Sequence, residues 1–124
     1  MDQEYIIEVK ETTIFQDGQT VLDHVNFSIL QEEFVYLIGK TGSGKSSLLK
    51  TLYADLPMEI GEIQMVGYHI AKIEEREIPF MRRKIGIIFQ DFELFYDRTI
   101  AENLEFIMHS TGWRDKAKIK VRMA

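Results

Sequence analysis

A glycine-rich octapeptide constrains this chain more than any other feature of its sequence. Residues 39–46 read GKTGSGKS and match the pattern G-x-x-x-x-G-K-[ST] at every fixed position. Glycines let a backbone curl closely around a polyphosphate, so that successive N–H groups point inward at the anion. In this pattern the lysine, Lys45, reaches the β- and γ-phosphates, and the Ser46 hydroxyl ligates Mg²⁺. The residues predicted to hold ATP and Mg²⁺ here are Gly39, Lys40, Thr41, Gly42, Ser43, Gly44, Lys45, Ser46 and Ser47.

The segments on both sides of the motif suit a phosphate site. Residues 34–38, FVYLI, read as a short buried strand that runs into the loop. Residues 46–54 read as the helix that leaves it, because their leucines recur at helical spacing. This arrangement aims a helix N-terminus at a phosphate. A chance match in a flexible glycine turn is the alternative, and the flanking elements argue against it.

Composition excludes several classes of protein. At 124 residues the chain is one domain at most, or part of one. A net charge of −5 argues against nucleic acid as a partner. The absence of cysteine excludes disulfides, and the three histidines are scattered without metal-ligand spacing. With no membrane-length apolar stretch and acids at Asp2 and Glu4, where a signal peptide would be cationic, we expect a cytosolic protein.

The first 89 residues of the chain predict mostly strands. Tyr5–Lys10 and Val21–Leu30 read as a pair joined near Asp17-Gly18, a hairpin turn signal. In the second of them, apolar residues alternate with polar ones from His24 to Ile29. Glu62–Val66 reads as a further strand. Three shorter predictions complete this part of the chain: a partly helical segment at 74–84 interrupted or started by Pro79, a solvated basic run at 82–84, and a buried strand at 85–89.

Residues 91–124 predict a loop and a capped helix. Residues 91–98 are acidic and aromatic, and Thr99 with Glu102 forms a capping-box pattern that opens a helix. Gly112 is the predicted stop, and residues 115–124 fit a helix or a strand equally well. The apolar stripe of the capped helix consists of Ile100, Leu104, Ile107 and Met108.

The sequence resembles the ATP-binding subunit of an ABC transporter. Its local sequence is most similar to the cell-division branch of that family. The resemblance rests on residues 34–50, on IIFQDF at 87–92, and on DRTIAENL at 97–104 followed by TGW at 111–113. It covers nearly the whole chain but only about the first half of such a subunit. It implies an α/β fold: a P-loop NTPase core with an antiparallel β-subdomain of the ABC type over residues 1–90, truncated at the start of the helical subdomain, 91–124.

Two further site residues follow from the resemblance. Gln90 matches the family glutamine that contacts Mg²⁺ and the attacking water, and an uncharged amide suits both roles. Together with Lys45 it is the predicted catalytic residue; on position alone it reads as a polar strand end. Phe15, which we expect on a loop before the Asp17-Gly18 turn, takes the place of the aromatic that stacks on adenine, where the family more often has tyrosine. The alternative for Phe15 is a core residue.

Several catalytic residues and motifs of the family do not occur in this sequence. They are the Walker B aspartate, the glutamate that polarises water, the signature motif and the switch histidine. Asp91 and Glu93 are not substitutes, because they do not follow four apolar strand residues. Another departure is Glu32-Glu33, where the family usually has a glycine before the acid. We therefore expect this chain to bind ATP but not to hydrolyse it efficiently.

The resemblance also implies partners. The intact subunit would form a homodimer, and would associate with an integral membrane partner, a transporter permease or its cell-division counterpart. Its location would be cytoplasmic, peripheral at the inner face of the cell membrane, with no nucleic acid bound. Three alternatives remain: the subunit of a lipoprotein-releasing, macrolide or phosphonate transporter, a non-hydrolysing nucleotide-binding module, and a small-molecule kinase. The kinase is disfavoured because Arg82 and Arg83 precede a predicted strand rather than capping a mobile lid.

The stability of the isolated chain is a testable expectation. Without the strand that carries Walker B, residues 34–38 and 85–89 should have an unpaired edge and exposed apolar faces. We predict a chain that is aggregation-prone or partly molten. Light scattering and a thermal melt check this, and a sharp cooperative melt from a monodisperse monomer would contradict it.

Overall fold

A computed structural model describes residues 4–88 and 94–124 of the chain. The chain divides into two compact units, the first ending at residue 85 and the second spanning residues 86–124.

A long antiparallel hairpin is the base of the first unit. Strands β1 (Tyr5–Gln16) and β2 (Gln19–Leu30) are joined by the two residues Asp17 and Gly18. Their φ angles, 53° and 76°, are both positive, as a type I′ turn requires. The predicted turn is confirmed, and so is the alternation in β2, where Val25 and Phe27 are half-buried and Asn26 is exposed. Both strands continue closer to the turn than predicted.

The hairpin is extended into a four-stranded sheet. Strand β3 (Ile60–Met65) pairs with β1, and the two-residue strand β4 (Tyr68–His69) pairs with β3, which gives the order β2-β1-β3-β4. Gly61 approaches β1 so closely that a Cβ there would lie 2.5 Å from Cα of Thr12. Its φ of 105° is also one that residues with a side chain rarely adopt.

Helices cover this sheet around one apolar core. They are α1 (Lys45–Leu52), a 3₁₀ turn (Ile70–Lys72) and α2 (Ile78–Arg82), in which Pro79 occupies the first turn. A proline there removes an N–H that has no intrahelical acceptor anyway, so it starts the helix rather than breaking it. The buried core consists of Val9, Leu52, Ile63, Met65, Ile70 and Met81.

Two predicted buried strands are wrong. Residues 34–38 form no strand and are exposed throughout, with Phe34 at 82% and Ile38 at 89% of full exposure. Residues 85–88 form none either, and Ile88 is 88% exposed; Phe89 lies outside the described residues. The physical reason is that a strand needs a ladder partner, and no described residue pairs with either segment. The exposed apolar surface expected at these segments is present.

The basic run at 82–84 is not simply a solvated helix end. The Arg82 guanidinium donates to the carbonyls of Tyr53 at 2.9 Å and Ala54 at 3.2 Å, just after the last residue of α1. The guanidinium of Arg83 lies 4.9 Å from the ring centroid of Phe80. A cation that donates to carbonyls at a helix C-terminus stabilises the helix dipole and satisfies acceptors that have no intrahelical donor.

The described residues of the second unit form two helices. In α3 (Ile100–Ser110) both hydrogen bonds of the predicted capping box are present between Thr99 and Glu102, and Gly112 follows the helix with a φ of 102°. Residues 116–123 form a helix, α4 (Lys116–Met123), which decides between the two periods that the sequence left open. Asp115 caps it.

The stripe predicted for α3 is not buried. Ile100, Leu104 and Ile107 are exposed, and Met108 is half-buried. The buried side chain of this helix is Asn103, which accepts from the N–H of Phe95 at 2.8 Å and donates to the Phe95 and Thr99 carbonyls. Asn103 thereby holds residues 95–99 against the start of α3. In the part of the chain that the structure describes, no helix has the length and apolarity needed to cross a membrane.

Gly61 allows a direct test of the sheet. Gly61→Ala should lower the free energy of unfolding by about 3 kcal/mol, because its Cβ would overlap the β1 backbone at a strained φ. Gly67→Ala is the matched control, since Gly67 also has a positive φ but no atom within 4 Å of the added Cβ; it should cost about 1 kcal/mol. Urea unfolding followed by far-UV circular dichroism measures both. Equal losses would contradict the close approach.

Candidate nucleotide-binding site

The glycine-rich loop is folded back on itself. The Lys45 ammonium donates to the carbonyl of Gly39, so the two ends of the motif meet. Within the loop the N–H of Ser43 donates to the Lys40 carbonyl at 3.0 Å. A Cβ on Gly39 would lie 2.5 Å from Oγ of Ser43, so the two ends of the curl approach each other closely. Residues 39–43 are exposed, so an anion can approach the loop from solvent.

The loop ends at the start of α1 in a form that suits anion binding. Gly44 is the N-cap residue, with a φ of 97° and no side-chain hydrogen bond that caps the helix. The first N–H groups of a helix have no intrahelical acceptor. No acidic residue lies in the first turn of α1. The helix therefore presents unsatisfied N–H groups and the positive end of its dipole, an arrangement that stabilises a phosphate.

The β1–β2 hairpin holds this end of α1 in place. A Cβ on Gly44 would lie 2.7 Å from Cγ1 of Val21 and 2.9 Å from Cγ of Leu22, so the loop backbone packs directly on β2. The Ser47 hydroxyl, which is buried, donates to Oε1 of Gln16 at 2.5 Å. The Ser47 side chain is thus engaged by the hairpin, and only its N–H remains for a phosphate. Sequence reasoning missed Gln16, because nothing in its local pattern marks it.

Phe15 lies in β1, not on a loop as predicted. It pairs with Thr20 at the end of the hairpin and is half-buried. Its neighbour Gln16 makes the hydrogen bond to Ser47, so Phe15 is one residue from a direct contact with the P-loop helix. Half-burial leaves part of its ring exposed. That position fits base stacking as well as packing.

The metal-binding residues are only partly within the described chain. Ser46 lies in the first turn of α1 and is exposed, so its hydroxyl fits a Mg²⁺ ion bound beside a phosphate in the loop. Gln90, Asp91 and Glu93 lie outside the described residues. Within residues 4–88 and 94–124, no cluster of histidine, cysteine or acidic residues could hold a metal ion by itself.

A curled glycine loop that leads into an uncapped helix N-terminus defines a phosphate-binding protein of the P-loop class. Residues 22–124 match the ABC transporter family. The chain belongs to this family.

Curated relatives and solved structures agree with this family assignment. The chain is 32% identical over 119 residues to the cell division ATP-binding protein FtsE of Streptococcus pneumoniae. The aligned residues cover 95% of this chain and 51% of that protein. It is 39% identical over 108 residues to FtsE of Bacillus subtilis, covering 86% and 47%. The chain thus spans about half the length of the curated relatives it matches.

Two solved cassettes confirm the predicted fold class. CbiO1 of Clostridium perfringens, part of the ABC transporter complex CbiONQ, is 27% identical with a TM-score of 0.83, covering 97% of this chain and 48% of that one. The ATP-binding cassette MJ0796, solved as a dimer in a post-hydrolysis state bound to ADP and phosphate, is 28% identical with a TM-score of 0.77, covering 94% and 53%.

The hydrogen bond between hairpin and helix gives a prediction. Gln16→Ala should weaken ATP binding about threefold to tenfold, because a lost hydrogen bond of about 1 kcal/mol loosens the hairpin that positions α1. Gln19→Ala is the control, since Gln19 pairs with Gln16 across the turn and is exposed. Titration with a fluorescent ATP analogue measures both. Equal affinities for the two variants would contradict the positioning role of Gln16.

Proposed function

We propose that this chain is the ATP-binding part of an FtsE-like ABC complex, which couples ATP binding and hydrolysis to a membrane partner in cell division. The observation that carries the proposal is the loop geometry: a Gly39–Ser46 curl closed by Lys45 and followed by an uncapped helix. Family membership supports ATP as the nucleotide, and the FtsE relatives support the cell-division role.

In this proposal each site residue contacts a different part of the bound nucleotide, metal ion or water. Backbone N–H groups of the loop and of Ser46 and Ser47 bind the phosphates, and Lys45 leaves the Gly39 carbonyl to pair with the β- and γ-phosphate oxygens. The exposed part of the Phe15 ring stacks on adenine. The Ser46 hydroxyl would hold Mg²⁺, which would supply charge neutralisation at the transferring phosphate. Gln90 orients the attacking water in this proposal.

Hydrolysis is a property proposed for the whole subunit. Phosphoryl transfer depends on positioning and on electrostatic stabilisation from several groups at once. This chain supplies the phosphate cradle and Gln90, and it spans about half the length of its FtsE relatives. We therefore propose that the 124-residue chain binds ATP with little turnover.

The proposed partners come from the family. The MJ0796 cassette is a dimer, and CbiO1 is part of a transporter complex. By analogy the intact protein forms a homodimer across two ATP molecules, and associates with an integral membrane protein, FtsX-like or a transporter permease, at the cytoplasmic face of the membrane. No nucleic acid is part of the proposal.

A second candidate is the ATP-binding subunit of another ABC transporter. The observation that favours it is the TM-score of 0.83 with CbiO1, a transporter component. The two candidates share the site and differ in the membrane partner. Co-purification of the intact protein from the native membrane distinguishes them: an FtsX-like protein supports the first, and a permease of a solute transporter supports the second.

Lys45 is the most direct test of nucleotide binding. Lys45→Ala should weaken ATP binding by tenfold or more, because one charge-assisted contact to phosphate contributes about 1.5 to 3 kcal/mol. Lys50→Ala is the matched control, because Lys50 lies in the same helix but in its last turn. Titration with a fluorescent ATP analogue in the presence of Mg²⁺ measures both, and unchanged binding by Lys45→Ala would overturn the proposed site.

Turnover is measured separately. Phosphate release from γ-labelled ATP should stay near the uncatalysed rate for the 124-residue chain. Release that Lys45→Ala abolishes would show that the chain hydrolyses ATP on its own, and would exclude the non-hydrolysing alternative.

A further inference from the structure

Helix α4 concentrates positive charge in a chain that is acidic overall. Residues 114–122 contain five lysines or arginines and one acid, Asp115, whereas the whole chain has a net charge of −5. The Arg114 guanidinium donates to the His109 carbonyl at 3.0 Å, near the end of α3, so it has a structural role. The four cations that remain all lie in α4: Lys116, Lys118, Lys120 and Arg122.

No ion pair among the described residues involves these four cations. Asp115 accepts from the N–H groups of Ala117 and Lys118, at 2.9 and 3.3 Å, and so acts as the helix cap. All four side chains are exposed. Their charge is therefore available to a partner.

The helix also presents an apolar side chain among these cations. Ile119 is buried, and Val121, two residues further and about 200° around the helix, is 76% exposed. Lys118 and Arg122 are one turn apart and flank Val121 on one side, with Lys120 on the other. The exposed face of α4 is therefore cationic with one apolar side chain, and its attraction to an anionic surface depends mainly on charge.

We propose that the outer face of α4, formed by Lys118, Lys120, Val121 and Arg122, binds the headgroups of anionic phospholipids. The lysine and arginine side chains pair with lipid phosphates, and Val121 contacts the acyl boundary. Glu105 of α3 lines one pocket with Lys116 and Lys120, so the attraction to lipid phosphate depends mainly on Lys118 and Arg122. The proposal rests on the proposed function, in which the subunit works at a membrane, but it requires no membrane protein.

Vesicle flotation tests the proposal with the full 124-residue chain. Flotation is chosen because an aggregated chain sediments but does not float. The chain should bind vesicles that contain phosphatidylglycerol at least about 20-fold more tightly than vesicles of phosphatidylcholine alone, since each cation near an anionic surface strengthens binding about fivefold. Raised salt should reverse the binding.

A matched pair of variants locates the surface. Lys118→Glu with Arg122→Glu should lower the affinity for anionic vesicles at least about 20-fold, because two attractions become repulsions. Lys72→Glu with Arg83→Glu changes the net charge equally at exposed positions of the first unit, and should change affinity less than about twofold. Both variants should keep their helical circular dichroism and their ATP affinity.

Three results would overturn the proposal. They are equal binding to neutral and anionic vesicles, equal losses in the two double variants, and retention on single-stranded RNA without vesicle binding, which would assign the surface to nucleic acid. Failure to bind vesicles, with ATP binding intact, would remove the lipid contact while leaving the proposed nucleotide function in place.

Discussion

The contact between the β1–β2 hairpin and the start of α1 is the constraint on which the candidate site depends. Gly44 packs on Val21 and Leu22 with no room for a side chain, and Gln16 accepts a hydrogen bond from Ser47. At the other end of the same helix, Arg82 donates to the carbonyls that follow its last turn. The helix that follows the glycine-rich loop is therefore held at both ends by residues distant in sequence.

Local signals predicted the parts of this structure that local interactions determine. The Asp17-Gly18 turn, the capping box of Thr99 and Glu102 and the stop at Gly112 all form as expected, since each depends on a few neighbouring residues. The helix after the phosphate motif is also present. In each case the residues that carry the signal also make the interaction, so the sequence alone was sufficient.

The remaining features depend on pairing between distant segments, which a single sequence does not display. Residues 34–38 have the composition of a buried strand, yet they are exposed because strand formation requires a partner ladder. Gln16 and Arg82 acquire their roles only when the fold brings them to the ends of α1, so no pattern could have marked them in advance.

The central claim is that residues 39–48 bind nucleotide phosphates through their backbone N–H groups. Hydrogen–deuterium exchange of the chain with and without ATP and Mg²⁺ tests it most directly, with adenosine as the control that carries the base without phosphates. The account predicts slower exchange in residues 39–48 with ATP and little change there with adenosine. Unchanged exchange in this segment at saturating ATP, or equal protection by adenosine, would contradict it.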